Sequence, residues 1–508
     1  MHLGSLADSV DAATDQALAL VPRIWDRDHT VWGSDPTELA DRLGWLDAPE
    51  RADDVGSHLV RSAEAMATEG ITDVLLVGMG GSSLYPEVLT STFGALDGHP
   101  RLRVLDSTDP AAVLAVESEL PWDTTVVVPA SKSGTTIEMA CLLARFFERL
   151  RDAHGPSAGR FVLPITDPGS QLEARAAAEG FREVIHGQPD VGGRFSALTP
   201  FGLFPAALLG LDLDEHLAAA RDQFAGARST DPQVNSAAAL GAVMAEGVRT
   251  GRDKLTLLLP DEVASFGLWI EQLVAESTGK HGIGLLPVVG EHPGNATFGA
   301  DRMVVSLGAN EHIDALVGAG VPVVELPWSG PAQLSGEVVR WEFATAVAGA
   351  LLGINPFDQP DVEAAKKATS EVLAAGEDLP APEDPTRLLH SVEPGDYLAL
   401  LAFVTPEGDD HRAVEAAADR LRGSTGVPVT VGVGPRYLHS TGQLHKGGSD
   451  RGVYLIVVGD DPQDADIPGR DLTFSRLKRA QAAGDLRALK AADRRATRIS
   501  MKTLHSLS

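Results

Sequence analysis

A short apolar run that breaks into a polar turn and then into a helical pattern leaves a chain few folds to choose from, and this chain repeats that unit. Thr125 to Val128 is a β-branched run followed by Ser131-Lys132-Ser133-Gly134-Thr135-Thr136, and Ile137 to Leu150 then reads as helix. Val74-Leu75-Leu76-Val77 runs into Gly78-Met79-Gly80-Gly81-Ser82-Ser83, with a helix from Pro86 onward. Strand, turn and helix in succession predict a doubly wound α/β fold on a parallel sheet. Further strands are expected at Leu102 to Leu105, Phe161 to Ile165 and Glu183 to Ile185.

The Ser131–Thr136 turn carries chemistry as well as topology. It precedes a helix N-terminus, where free backbone N–H groups and the helix dipole favour an anion. The hydroxyls of Ser131, Ser133, Thr135 and Thr136, the Lys132 ammonium and a permissive glycine make a cradle for one phosphate monoester. The competing reading, an N-cap and a polar turn, leaves so many hydroxyls unexplained. The Gly78–Ser83 turn lacks dinucleotide spacing, and Asp106 after the next strand does not rescue it. No cofactor is called for.

The pattern restarts in a second half. Strands are expected at Leu255 to Leu259, Met303 to Leu307 and Pro322 to Leu326, with a helix at Phe266 to Ala275 and a long one at Leu334 to Leu352. No second hydroxyl-rich loop accompanies them, so this half reads as a duplicated domain without the phosphate site. Glu276 ends the apolar helix that stops at Gly279. A carboxylate there opposes the helix dipole, which favours a raised pKa suited to a general base. Arg194 sits in Val191-Gly192-Gly193-Arg194-Phe195-Ser196 ahead of a very apolar helix, where a buried guanidinium calls for an anionic partner.

A smaller α/β module follows, with strands at Tyr397 to Val404, Val427 to Val433 and Gly452 to Val458. Its loop Arg436 to Gly448 contains His439, His445 and Lys446, a group rarely present for packing alone. The spacing suits no zinc site, so no metal is expected. The basic residues from Arg476 to Arg498 read as a helical, solvated tail. The expected domains are a helical segment at 1–48, a first α/β domain with the phosphate site at 49–225, a second at 226–370, a linker at 371–394 and the small module at 395–508. Within the first segment, helices are expected at Leu6 to Leu20 and Pro36 to Leu46, with Trp25, Trp32 and Trp45 as packing anchors.

A net charge of −29 argues against nucleic acid and anionic membranes as partners. It also means that an anionic ligand must be held by local positive charge, for which Lys132 is the candidate. A single cysteine, Cys141, fits a reducing compartment. With no leader-like N-terminus and no apolar run of about 18 residues, the chain reads as cytoplasmic.

Together, Val77 to Ser82, Ser131 to Thr136, Val191 to Ser196, Glu276-Ser277-Thr278-Gly279-Lys280 and Ile354-Asn355-Pro356-Phe357-Asp358-Gln359-Pro360 resemble, in order, the phosphoglucose isomerase family, built from two sugar-isomerase domains. The third module is similar to the isomerase half of fused transaldolase–isomerase proteins. No transaldolase barrel precedes it, so isomerase activity alone is implied. The resemblance implies interconversion of glucose 6-phosphate and fructose 6-phosphate through a cis-enediolate. Ser131, Ser133, Thr135 and Thr136 would bind phosphate beside Lys132, and Gly81 and Ser82 would line the sugar site. Glu276 would be the base, Arg194 would stabilise the enediolate, and Lys446 would stand near the ring oxygen. The family's ring-opening histidine follows a Gly-Glu-Pro-Gly segment. Here the stretch is Gly290-Glu291-His292-Pro293-Gly294, so His292 is favoured, with His312, His439 and His445 also open. A homodimer is implied. The rival functions are isomerisation of another anionic hexose, such as mannose 6-phosphate or a sulfonated sugar, and a non-catalytic sugar-phosphate sensor.

Overall fold

The computed structural model describes residues 1–296 and 298–507; Thr297 and Ser508 lie outside the described residues. Among the described residues, thirteen strands form three sheets. The first contains β1 (Asp73–Gly78), β2 (Arg101–Leu105), β3 (Thr125–Ala130), β4 (Ile165–Thr166) and β5 (Ile185–His186), in the order β2-β1-β3-β4-β5. The second contains β6 (Lys254–Leu258), β7 (Leu286–Val288), β8 (Arg302–Leu307) and β9 (Val323–Leu326), in the order β7-β6-β8-β9. The third contains β10 (Tyr397–Phe403), β11 (Val429–Val433), β12 (Gly452–Val458) and β13 (Arg495–Ile499), in the order β11-β10-β12-β13. Each pairing within the sheets is parallel. The α/β, parallel-sheet expectation therefore holds, and the three sheets share one strand order.

Several elements differ from the sequence reading. The 161–165 strand contracts to Ile165–Thr166, because Pro164 supplies no ladder N–H and the preceding Gly155–Phe161 stretch is 3₁₀. Strand β7 escaped the reading because it is three residues long with Pro287 in its middle. Residues 36–43 form turns rather than helix, and the long N-terminal helices are Ala7–Trp25 and Ala48–Thr68. The basic tail is not helical throughout: after the helix Phe474–Ala491, Arg495–Ile499 pairs with β12 as the sheet's edge. Long cationic side chains suit an edge strand, and Arg495 bonds Asp396 at 2.8 Å. The stretch expected as linker from 371 begins inside a helix, Pro360–Ala375, whose Val372 is buried with Ala480 and Ala483 of the third unit.

The sheets do not own separate cores. The largest apolar cluster joins Val74 and Val128 of the first sheet to Leu255 and Val305 of the second through the helices Ala7–Trp25, Ser236–Arg249 and Leu334–Leu352. The third unit wedges against both: Phe474 and Leu477 pack with Leu75 and Val127, while Tyr437 and Tyr454 pack with Leu286 and Val288. The expected anchors serve a local purpose. Trp45 is fully buried 5.3 Å from Phe195, which lies 5.1 Å from Phe357, and Trp32 closes on Phe357 at 5.1 Å. This aromatic cluster fixes the segments on either side of Arg194 and Asp358.

Candidate active site

In a sheet ordered β2-β1-β3, the connections from β1 and β3 leave in opposite directions, and ligands bind in the crevice at their carboxyl ends. The Gly78–Ser83 and Ser131–Thr136 turns flank that crevice. In the second turn, Ser131 Oγ accepts from Gly134 N at 3.1 Å and meets Thr136 Oγ1 at 3.0 Å, while Ser133 and Thr135 hydroxyls meet at 2.7 Å and face solvent. Thr136 caps the helix Ile137–His154 without a side-chain bond, leaving first-turn amides outward. Lys132 does not join the cradle. Its ammonium donates to Asp167 at 2.9 Å and to Gln188 O at 2.8 Å, bracing the loop from behind.

Gly81 is where the two functional turns touch. A Cβ there would fall 1.9 Å from Gly193 O, so only glycine allows the β1 turn against the Arg194 turn. Ser82 is buried beside it. Arg194 is 2% exposed and held by four neutral acceptors: Ser277 Oγ at 2.8 Å, Gln359 Oε1 at 2.8 Å, and the carbonyls of Pro356 and Asp358 at 2.7 Å each. Its Nη1 lies 3.5 Å from Glu276 Oε1. Glu276 thus faces a fixed counter-charge besides the C-terminal end of its helix. Glu276 Oε2 accepts from Gln272 Nε2 at 3.1 Å, and the same nitrogen donates to His439 O at 2.8 Å. Lys280 closes the back of the segment on Asp358 at 2.7 Å, and burial, with Arg194 nearby, pushes its pKa down to about 7.

The third unit completes the crevice. His439 lies against Gly80, where an added Cβ would meet His439 O at 3.0 Å. Its Nε2 is 3.0 Å from Glu138 Oε1, on the first turn after the hydroxyl loop. Gln481 Nε2 donates to the same oxygen at 2.8 Å, and Gln481 Oε1 accepts from Thr108 at 2.7 Å. Burial pushes the Glu138 pKa up, but the His439 charge and hydrogen bond, with a smaller contribution from Lys366, hold it below the ordinary carboxylate value. The hydroxyl loop and Glu276 are therefore tied together through Glu138, His439 and Gln272, on one side of the molecule.

Besides Lys132, two expected site residues go elsewhere. His292 is exposed and faces a separate cavity with Glu271 and Arg436, on another face of the helix that carries Glu276. Its loop leaves β7, not the β1–β3 crevice. The Lys446 ammonium is buried 2.6 Å from Asp485 and bonds Gly442 O, an ion pair internal to the third unit. His445 is also internal, enclosed by Tyr437 and Tyr454. Lys366 escaped the sequence reading. It is half-exposed on the helix after Gln359 and paired with Glu363 at 2.8 Å, with a small electrostatic effect on Glu138; the nearby Phe357-Asp358-Gln359 run was the available signal.

A family model described as phosphoglucose isomerase matches residues 57–300. A glucose-6-phosphate isomerase of Rubrobacter xylanophilus is 31% identical over 393 residues, 66% of this chain and 89% of its own length. Another, from a Synechococcus strain, is 29% identical over 394 residues, 65% of this chain and 73% of its own. Among solved structures, a hypothetical protein of Thermus thermophilus superposes with a TM-score of 0.63 at 25% identity, over 73% of this chain and 99% of its own. A glucose-6-phosphate isomerase of Chlamydia trachomatis shares the fold, with a TM-score of 0.55 at 20% identity over 64% of this chain and 74% of its own. The ordered segments, the crevice they build and a relative matched along most of its length agree, and the chain belongs to the phosphoglucose isomerase family.

Proposed function

We propose that this protein is an aldose–ketose isomerase that interconverts glucose 6-phosphate and fructose 6-phosphate. The observation that carries the reading is the Arg194–Glu276 contact at 3.5 Å, in a crevice whose other end is the Ser131–Thr136 hydroxyl loop. The phosphate is held by the hydroxyls of that loop and the amides behind it, with Gly81 and Ser82 against the sugar. Pinning the anion at one end makes proton transfer at the other effectively intramolecular. Glu276 takes a proton from C2 and returns it to C1, and the reverse. The Arg194 guanidinium, fixed before the reaction, faces the charge that develops on the enediolate.

His439 takes the ring-opening role that the resemblance gave to His292. Its imidazole meets Glu138, which orients it, and its backbone carbonyl accepts from Gln272, the residue that also donates to Glu276. With Lys132 spent on Asp167, the N-terminus of the helix Ile137–His154 behind the hydroxyl loop supplies the local positive end for the anionic substrate against the overall field. Cytoplasmic action and a homodimer belong to the same reading. No helix among the described residues is long and apolar enough to cross a membrane.

The test is a coupled assay on fructose 6-phosphate. Glu276→Gln is expected to lower kcat by about 10²–10⁴-fold with little change in phosphate-analogue binding. His439→Gln is expected to lose far more activity on cyclic substrate than on an open-chain analogue, whereas His292→Gln keeps wild-type kinetics. Wild-type turnover by Glu276→Gln sinks the isomerase reading.

A further inference from the structure

A second cavity, of about 580 Å³, lies where the three units meet. Its walls include Glu87 of the first unit, Leu268 and Glu271 of the second, and Glu407, Glu415 and Tyr437 of the third. It shares elements, but no lining residue, with the isomerase crevice. Glu271 and Gln272 are neighbours on one helix; the first faces the cavity and the second holds Glu276. Arg436, Tyr437 and Ser440 line the cavity around His439, which faces the crevice.

The two arginines of this cavity are already paired, and among the described residues its histidines, His292 and His411, form no ion pair with Glu87 or Glu271. Arg436 gives both Nε and Nη2 to Asp106, at 2.7 and 2.8 Å. Arg422 is paired with Asp419 at 2.5 Å and bonds Val429 O. His411 Nδ1 accepts the Glu407 N–H at 3.0 Å. The carboxylates are not matched in the same way. Glu87, Glu271 and Asp106 all bear on the single Arg436 guanidinium, which gives two of its donors to Asp106 and carries one positive charge against three carboxylates. Glu271 is 9% exposed, faces the cavity, and has no cation within ion-pair distance among the described residues; its polar neighbour is the Ser440 hydroxyl. The Ser265 hydroxyl on the same wall has no hydrogen-bond partner. Burial raises the pKa of both Glu87 and Glu271, the latter to about 7, as follows when carboxylates lack a counter-ion.

We propose that this junction cavity binds a small organic cation, through its ammonium group on Glu271 and Glu87 and its carbon chain on Leu268, Val289 and Val431. A buried carboxylate without a partner favours a cationic ligand. Among the described residues, no three His, Cys, Asp or Glu side chains gather as a metal-binding group, so an ammonium fits these walls better than a metal ion. Occupancy presses on Glu271 and Arg436, one residue from Gln272 and three from His439, so the ligand modulates the crevice from behind. Binding itself does not rest on the isomerase reading.

The experiment is isothermal titration of the full chain with putrescine, and with 1,4-butanediol as a neutral match. Putrescine is expected to bind with a Kd of about 1 mM or tighter and the diol to give no saturable heat. Glu271→Gln, isosteric and therefore packed as before, is expected to weaken putrescine about tenfold or more. Glu87→Gln, on a different element, weakens it as well, while Glu276→Gln binds it like wild type. Equal binding of the diol, undiminished affinity in both glutamine variants, or no binding to folded wild-type protein overturns the proposal. Loss of putrescine binding in Glu276→Gln also overturns it, since the ligand then sits in the isomerase crevice.

Discussion

Arg194 and Glu271 show how one buried charge is made useful and another is left in debt to its surroundings. Arg194 has a planar fork matched to four acceptors. A lysine has one ammonium and cannot satisfy them. Arg194→Lys is expected to lower kcat by about 10²–10³-fold, the scale of losing one preorganised donor to a developing oxyanion, with a smaller change in KM; steady-state kinetics checks this. Glu271 titrates in the other direction. Its folded-state pKa is raised by burial to about 7. Between about 4.5 and 7 the native state therefore holds more protons than the unfolded chain, and stability is lost as pH rises through that window. Glu271→Gln removes this loss. Relative to wild type, its melting temperature is expected to be higher at pH 8 than at pH 5, by an amount reflecting on the order of 1–3 kcal/mol. An equal gap at the two pH values refutes the assignment.

At the scale of elements, the crevice depends on two turns approaching closer than any side chain permits. Gly81→Ala places a methyl group on the Gly193 carbonyl. The Arg194 turn must then shift, and a displacement of about 1 Å in a catalytic group costs about 10²-fold. The expected outcome is a folded protein with kcat/KM lower by that order, checked by circular dichroism and kinetics together. The Trp45–Phe195–Phe357 cluster secures the same turn from below. Trp45→Ala is expected to cost about 3–5 kcal/mol of stability, and to lose activity at temperatures where the protein is still folded.

At the scale of the molecule, the third unit is joined to the first by buried polar contacts rather than by a tether. Lys478 is fully buried between Asp109 and Asp461, Arg436 grips Asp106, and Gln481 bridges Thr108 and Glu138. Removing one member of a buried ion pair leaves uncompensated charge and costs about 3–5 kcal/mol. Lys478→Met is expected to lower the thermal midpoint and, because His439 rides on this unit, to lower kcat below the midpoint as well. Unchanged kcat in a destabilised Lys478→Met protein separates the third unit from the reaction.

The parallel α/β architecture was legible in the chain before any contact was known. Apolar runs followed by glycine or hydroxyl turns are local signals, written in consecutive residues. The sequence also marked Gly81, Arg194, Glu276 and the 131–136 loop, whose chemistry is stated by neighbours in the chain. Strands β7 and β13 were not legible, since three residues around a proline, or a cationic edge, become a strand only when a sheet is there to receive them. The histidine and the cations were decided by tertiary structure alone. Lys132 and Lys446 read as free charges until Asp167 and Asp485, remote in sequence, are found against them. His439 gains its place from Glu138, 301 residues earlier. Charge partnership is a property of distance in space, which a one-dimensional pattern does not contain.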